Sequence, residues 1–323
     1  MKYFNNIFEL INFIRRNSVP LIPNTFINSS SFCLLSDQNN CLNLSPAGQM
    51  LFYFRGEYGN HPTCKSKIYR NPNNDNYIFD RLHQIEFELL LKYSPIINGN
   101  GDFSFEVIGQ NLIYQVDFLA LCQHYGIATE YLDLSNDLYI ALYFATHSGN
   151  PMSPKYEGEG TLYCFMDDNC ENIKTIGMQL FPRPGEQKAF AIKLCADDDF
   201  SKMSQVQKYV FQQTKEGSNF INNLFNGGAM LFPKDVIENK VVEIKSKTQF
   251  SLKALNEVHS RYFNDTSLSK LEKKYNDNGI SFISDIPAFS ESEISELVQY
   301  LSIFIDKLNH AHIRRVLYPK NPV

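Results

Sequence analysis

Residues 123–145, QHYGIATEYLDLSNDLYIALYFA, constrain the fold more than any other stretch. A polar cluster holding a glycine runs into a short apolar run closed by Asp133. Ser135, Asn136 and Asp137 then precede the apolar segment 138–145. The pattern predicts a loop, a short buried strand, a helix cap and a buried helix. The free backbone N–H groups at such a helix start favour an anion. Gln123, His124, Tyr125, Thr129, Asp133 and Ser135 gather around this junction and are candidate binding residues. The cap itself can fall to Asp133 or to Ser135.

The rest of the chain is organised around that stretch. Apolar spacing predicts an amphipathic helix over 3–16, and Asn, Ser and Pro make 17–49 irregular. LFYF (51–54) reads as a buried strand that delivers Arg55 to its end, with Gly56 permitting a sharp turn and Glu57 beyond it. A loop over 58–77 leads to a helix at 78–93, whose Ile78, Leu82, Ile85, Leu89 and Tyr93 share one face. Glu86 sits near that face, either as a site residue or as a buried ion-pair partner. A second helix is expected over 111–122, and strands over 161–166 and 188–194. Between those strands lies a proline-rich turn carrying Arg183, Glu186 and Gln187. Further on, helices are expected at 201–213, 217–226, 249–263 and 265–276, with strands at 229–232, 241–245 and 279–284. A last helix over 290–312 opens on the capping box Ser290–Glu293. Helices and strands mix without strict alternation, which predicts an α+β fold: a mixed sheet with surrounding helices. The expected organisation is an N-terminal arm (1–49), a main domain (50–200) and a helix-rich part (201–323) that packs on it or continues it.

Lys and Arg number 30 against 35 Asp and Glu, a formal charge of −5, and no long basic run occurs. Broad binding to duplex DNA is not expected. The seven cysteines form no C-x-x-C pair, which fits a reducing cytoplasm and disfavours a zinc ribbon. His310 and His312 lie two apart on a predicted helix and do not face each other, and no metal is expected. No stretch is apolar enough to span a membrane.

Two motifs, Phe54-Arg55-Gly56 and the 123–145 stretch, give the chain its family likeness. It resembles the FRG-domain family, whose second signature is Gln-His-Tyr-Gly, then Thr-Arg-Leu-Leu-Asp-Trp-Thr, then an Ala-Leu-Tyr-Phe-Ala helix. A looser third feature is the turn Arg183-Pro184-Gly185-Glu186-Gln187. The chain departs from the family at Glu130, where an Arg is usual, at Leu134 (Trp) and at Ser135 (Thr). Lys188-Ala189 replace a residue followed by Gly.

The order of these motifs is similar to the Arg, Ser/Thr, Glu layout of ADP-ribosyltransferases. That likeness implies an ADP-ribosyltransferase-like core that uses NAD for ADP-ribosyl transfer or NAD hydrolysis, with a macromolecular acceptor, in a toxin or phage-defence setting. Arg55 would hold the phosphates or ribose. Ser135 would orient its neighbours, and Glu186 with Gln187 would stabilise the developing oxocarbenium centre. A hydrolytic alternative places His124 and Asp133 as base and orienter, with Glu57 or Glu86 as acid or base. A reading from another class is a non-catalytic ligand- or protein-binding module, or a single-stranded RNA binder using exposed aromatics. In that case Arg55 pairs with Glu86 or Asp133 and serves the fold.

Overall fold

The computed structural model describes residues 1–17, 32–36, 41–46, 52–70, 76–97, 102–107, 110–149, 151–166 and 173–309. The chain begins with β1 (Lys2–Phe4), α1 (Ile7–Asn17), β2 (Phe32–Ser36), β3 (Cys41–Pro46), β4 (Phe52–Glu57) and α2 (Asn76–Lys92). There follow β5 (Asp102–Val107), β6 (Gln110–Gln115), α3 (Phe118–His124), β7 (Tyr131–Ser135), α4 (Leu138–Thr146), β8 (His147–Ser148) and β9 (Ser153–Pro154). Next are β10 (Glu159–Met166), β11 (Ile173–Thr175), α5 (Pro182–Glu186), β12 (Ala189–Lys193), β13 (Val206–Gln212), α6 (Lys215–Leu224) and α7 (Val236–Ser246). The chain ends with β14 (Gln249–Ser251), α8 (Leu252–Tyr262), α9 (Leu268–Asp277), β15 (Ser281–Ile283) and α10 (Glu291–Asn309).

A seven-stranded sheet in the order β1-β13-β10-β4-β7-β12-β11 forms the centre. Its pairs are antiparallel except β1 with β13. Period-2 alternation in β10 sends Leu162 and Cys164 to one face and Tyr163 and Phe165 to the other. The first face is covered by α1 and α4, whose Leu10, Ile14 and Leu142 pack with Phe211 of β13. The second packs Tyr53, Leu132, Leu134 and Phe190 around Phe200. A separate core joins α2 and α3 to α7–α10 around Leu82, Leu90, Val258 and Tyr275. The fold is α+β with a mixed sheet, as the sequence predicts.

Several elements differ from expectation for local reasons. The 111–122 helix starts only at Phe118, because Asp117 caps it by accepting from Ala120 N–H at 3.0 Å. The preceding residues form β6, paired with β5. Residues 206–212 form the strand β13 in place of a helix; VQKYVFQ carries the β-branched Val206 and Val210 and the aromatic Tyr209 and Phe211. Residues 241–245 belong to α7, which Asp235 caps at Glu238 N–H, with Val236, Ile237, Val241 and Ile244 on its buried side. No strand forms at 229–232, because Gly227 and Gly228 take positive φ and turn the chain there. Two strands, β2 and β3, lie in the arm expected to be irregular. The Ser290–Glu293 capping box is present. His310 and His312 lie outside the described residues.

Candidate functional site

The central sheet has one weak seam, and the motif residues gather at it. β4 and β7 share a single register pair, Phe54 with Ser135, whereas every other neighbouring pair in the sheet shares at least three. Beyond that pair, Arg55 bridges the strands, donating from Nη1 to the Asp133 carbonyl at 3.1 Å. On the opposite face of β4, Gly56 lets α4 approach: a Cβ there would lie 1.8 Å from the Ala141 carbonyl oxygen. α4 is fixed by Asp137, which accepts from Tyr139 N–H at 2.8 Å, so the cap falls to neither Asp133 nor Ser135. A cleft of about 630 Å³ opens at the seam. That is the size of small-molecule sites.

Arg55 is spent on positioning. Its Nε and Nη2 donate to Glu57 Oε1 at 3.3 and 3.1 Å. Burial works against the charge, but the Glu57 and Asp133 carboxylates outweigh it and hold the guanidinium protonated, with its pKa above the ordinary value. Arg55 pairs neither with Glu86 nor with the Asp133 carboxylate. Arg70 Nη2 stands 3.8 Å from the same Glu57 oxygen. Cys64, behind Glu57, has its thiol pushed up to about 12 by burial, which leaves it unreactive at neutral pH.

His124 is held in one tautomer. Gln187 Nε2 donates to the Leu231 carbonyl at 3.0 Å, so its Oε1 is the atom facing His124 Nδ1, also at 3.0 Å. A carbonyl only accepts, so the proton of the neutral ring sits on Nδ1 and Nε2 carries the lone pair. That Nε2 lies 3.9 Å from Asp133 Oδ1. Asp133 Oδ2 accepts from Gln123 Nε2 at 2.9 Å, and Gln123 Oε1 accepts from Thr129 Oγ1 at 2.8 Å. Three atoms of the cleft side chains, Glu57 Oε2, His124 Nε2 and Asp133 Oδ1, are buried and make no hydrogen bond among the described residues. Folded proteins rarely leave such atoms unused.

The structure thus brings together Arg55, Glu57, His124, Asp133, Ser135 and Gln187 on one cleft, with Gln123 and Thr129 behind Asp133. Ser135 ties the turns, donating to the Gln187 carbonyl at 2.9 Å and accepting from Asp137 N–H. Lys188 follows Gln187 at φ 45° and is pinned by Asp137 at 2.6 Å. Four expected residues stand elsewhere. Glu186 does not line the cleft, because the short α5 turn presents Gln187 there instead. Glu86 lies in the helical core, paired with Lys247 at 2.6 Å and accepting from Ser251 Oγ. Tyr125 donates to the Asp235 carboxylate beneath the Arg183 guanidinium. Arg183 pairs with Glu238 at 3.3 Å and reaches the His124 carbonyl. Glu130 turns to α2 and pairs with Arg81 at 2.8 Å.

Cleft residues that sequence reasoning missed are the cationic Lys65 and Arg70, and Phe144 and Met152 at the apolar end. Both cations lie in the 58–70 segment after the Arg55-Gly56-Glu57 turn, so the basic residues Lys65, Lys67 and Arg70 clustered there were the available signal. Among the described residues, no group of three or more His, Cys, Asp or Glu side chains could hold a metal ion, and no helix is long and apolar enough to cross a membrane.

Comparison with known proteins agrees with this location. No curated protein and no solved structure matches the chain. Residues 51–153 match the family model described as the FRG domain. The match spans β4, the His124–Ser135 stretch and α4, leaving Gln187 outside it. The seam between β4 and β7 therefore lies within the stretch of the chain that matches the FRG domain, residues 51–153.

Proposed function

We propose that the cleft binds NAD or a related nucleotide and cleaves its N-glycosidic bond, passing the ADP-ribosyl group to water or to a macromolecular acceptor. The observation that carries this reading is the convergence of Glu57, His124 and Asp133, each with an unused buried atom, between a cationic rim and an apolar end. Lys65 and Arg70 suit the phosphates. Phe144 and Met152 suit a planar ring. As the bond from the ribose anomeric carbon to the nicotinamide nitrogen breaks, its electron pair leaves with the nicotinamide. The Asp133 and Glu57 carboxylates then face the positive charge left on the ribose. An attacking water or acceptor hydroxyl adds to that carbon and gives its proton to His124 Nε2. Arg55 orients Glu57 and the Asp133 backbone, a role different from the phosphate contact implied by the family likeness. This is the ADP-ribosyltransferase-like layout with Glu57 and Asp133 in place of Glu186.

The test is nicotinamide release and thermal unfolding with NAD, on the native chain, Asp133→Asn and His124→Gln. Saturation at 100 times the dissociation constant stabilises by about 2.7 kcal/mol. Both variants are expected to keep the thermal shift and lose nicotinamide release by roughly 100-fold or more. Neither shift nor release at millimolar NAD would sink the reading. A second reading, a non-catalytic binding module, is favoured by the engagement of Arg55 and Ser135 within the fold. It predicts a shift without release.

A further inference from the structure

A second cluster of charge lies outside the cleft, around the glycine of the Gln-His-Tyr-Gly run. Lys67 Nζ and Lys245 Nζ both donate to the Gly126 carbonyl oxygen, at 3.3 and 3.2 Å. Two nitrogens so close to one oxygen lie within about 6.5 Å of each other, by the sum of the two distances. The lysines come from segments almost 180 residues apart, the turn Lys67–Tyr69 and the last turn of α7. Neither ammonium has a carboxylate within ion-pair distance among the described residues, whereas nearby Lys247 is neutralised by Glu86. Repulsion from Lys245 and Arg70 adds to burial in holding the Lys67 ammonium below its ordinary pKa.

Two groups of α2 face this pair. Asp80, half-buried, has its carboxyl pushed up to about 6 by burial, with Lys67, Lys245 and Arg81 pulling the other way. His83, one turn on, is lowered to about 4 by burial and by Lys245 and Lys247, and its ring packs 5.7 Å from Phe250. A carbonyl takes one hydrogen bond from each lysine but cancels neither charge. Among the described residues Asp80 is the one carboxylate facing both lysines, which leaves a net positive charge, and two ammonium groups at this spacing match the oxygens of one tetrahedral dianion.

We propose that Lys67 and Lys245 form a binding site for a phosphoryl-type dianion, separate from the cleft and lying against Gly126. The ligand is a phosphate group, free in solution or at the end of a nucleotide. This inference stands whether or not the cleft binds NAD.

His83 is the local reporter, because an anion between the lysines raises its pKa. The experiment follows the His83 imidazole by NMR through a pH titration, with and without sulfate, which stays dianionic throughout. Sulfate is expected to move the His83 midpoint up by about one pH unit. The response is expected to vanish in Lys67→Ala/Lys245→Ala and to persist in Lys65→Ala, which alters only the cleft rim. At neutral pH, adenosine monophosphate against adenosine and inorganic phosphate, followed by the same resonances, separates a nucleotide phosphate from a free one. A His83 midpoint unmoved by sulfate, or moved equally in the double variant, overturns the proposal. Loss of nicotinamide release in cleft variants leaves it untouched.

Discussion

Gly56 is the residue on which the site depends most directly. Any Cβ there meets the Ala141 carbonyl at 1.8 Å, and the Ala145 N–H group at 2.6 Å. Backbone atoms cannot step aside as a flexible side chain can, so Gly56→Ala must push α4 off β4. The expected cost is about 3 kcal/mol or more, read as a large drop in the denaturant midpoint, and a loss below 1 kcal/mol would show that α4 can move. The buried pair Arg81–Glu130 is a second such point. Arg81 donates to Glu130 and Gln84 and stacks on Tyr262 at 4.1 Å. Glu130→Ala strands a buried guanidinium and is expected to cost about 3–5 kcal/mol, measured by chemical unfolding. Glu130 was legible as a departure from the family, but its partner was not, because residues 81 and 130 meet only when α2 packs on the loop before β7. Asp80 and His83 give opposite pH slopes. Asp80, raised to about 6, contributes stability that is fully present below its unfolded value of 3.8 and is lost as pH rises through 6. His83, lowered to about 4 from 6.5, contributes stability present above 6.5 and lost as pH falls through 4. Asp80→Asn should therefore raise Tm at pH 7 and steepen its fall on acidification. His83→Gln should flatten that fall between pH 6.5 and 4. Melting curves across this range check both signs.

At the scale of elements, caps explain much of what the sequence showed and what it hid. The 138–146 helix was legible from eight consecutive apolar residues, but its cap was not, since Asp133 and Ser135 both offered one. Geometry gives it to Asp137, the residue next to the first turn, while Ser135 two residues earlier holds Asp137 N–H and the Gln187 carbonyl. Asp137→Ala is expected to destabilise by about 1–2 kcal/mol, through the lost cap and the freed Lys188, in a thermal or denaturant melt. The 236–246 segment misleads because VVEIK is β-branched. Its helix is specified by Asp235 and Glu238 at capping spacing, a local signal stronger than the propensity of three residues. The seam between β4 and β7 had no sequence signature at all. Each strand reads as an ordinary buried strand, and only the register shows that they pair at one point and part around Arg55 and Asp133. For the same reason the turn was legible as a site element while its contributing side chain was not. Glu186 and Gln187 are adjacent, and the direction each takes is set by how α5 closes onto β12.

Across the whole molecule, residues far apart in the chain complete the same layers. β1 pairs in parallel with β13, and α1 then lays Ile7, Leu10 and Ile14 on the face that α4 also covers. The helical core around Leu82 is formed by residues 78–127 together with Met178, Leu180, Phe181 and residues from 236 onward. Bonds tie the segment after residue 200 to the earlier chain beside the cleft: Gln187 reaches Leu231, and Arg183 reaches both His124 and Glu238. Such ties argue that the segment after residue 200 unfolds with the sheet. Leu10→Ala and Leu82→Ala test this, because both leucines are fully buried and lie in different cores. Each is expected to cost about 2–5 kcal/mol. If the chain is one cooperative unit, calorimetry shows a single transition in both variants, moved to lower temperature, and the two losses add in the double variant. If Leu82→Ala splits off an early transition that Leu10→Ala leaves in place, the helical core is a separate unit. The cleft, which hangs His124 from α3 and Arg55 from the sheet, would then open before the sheet melts.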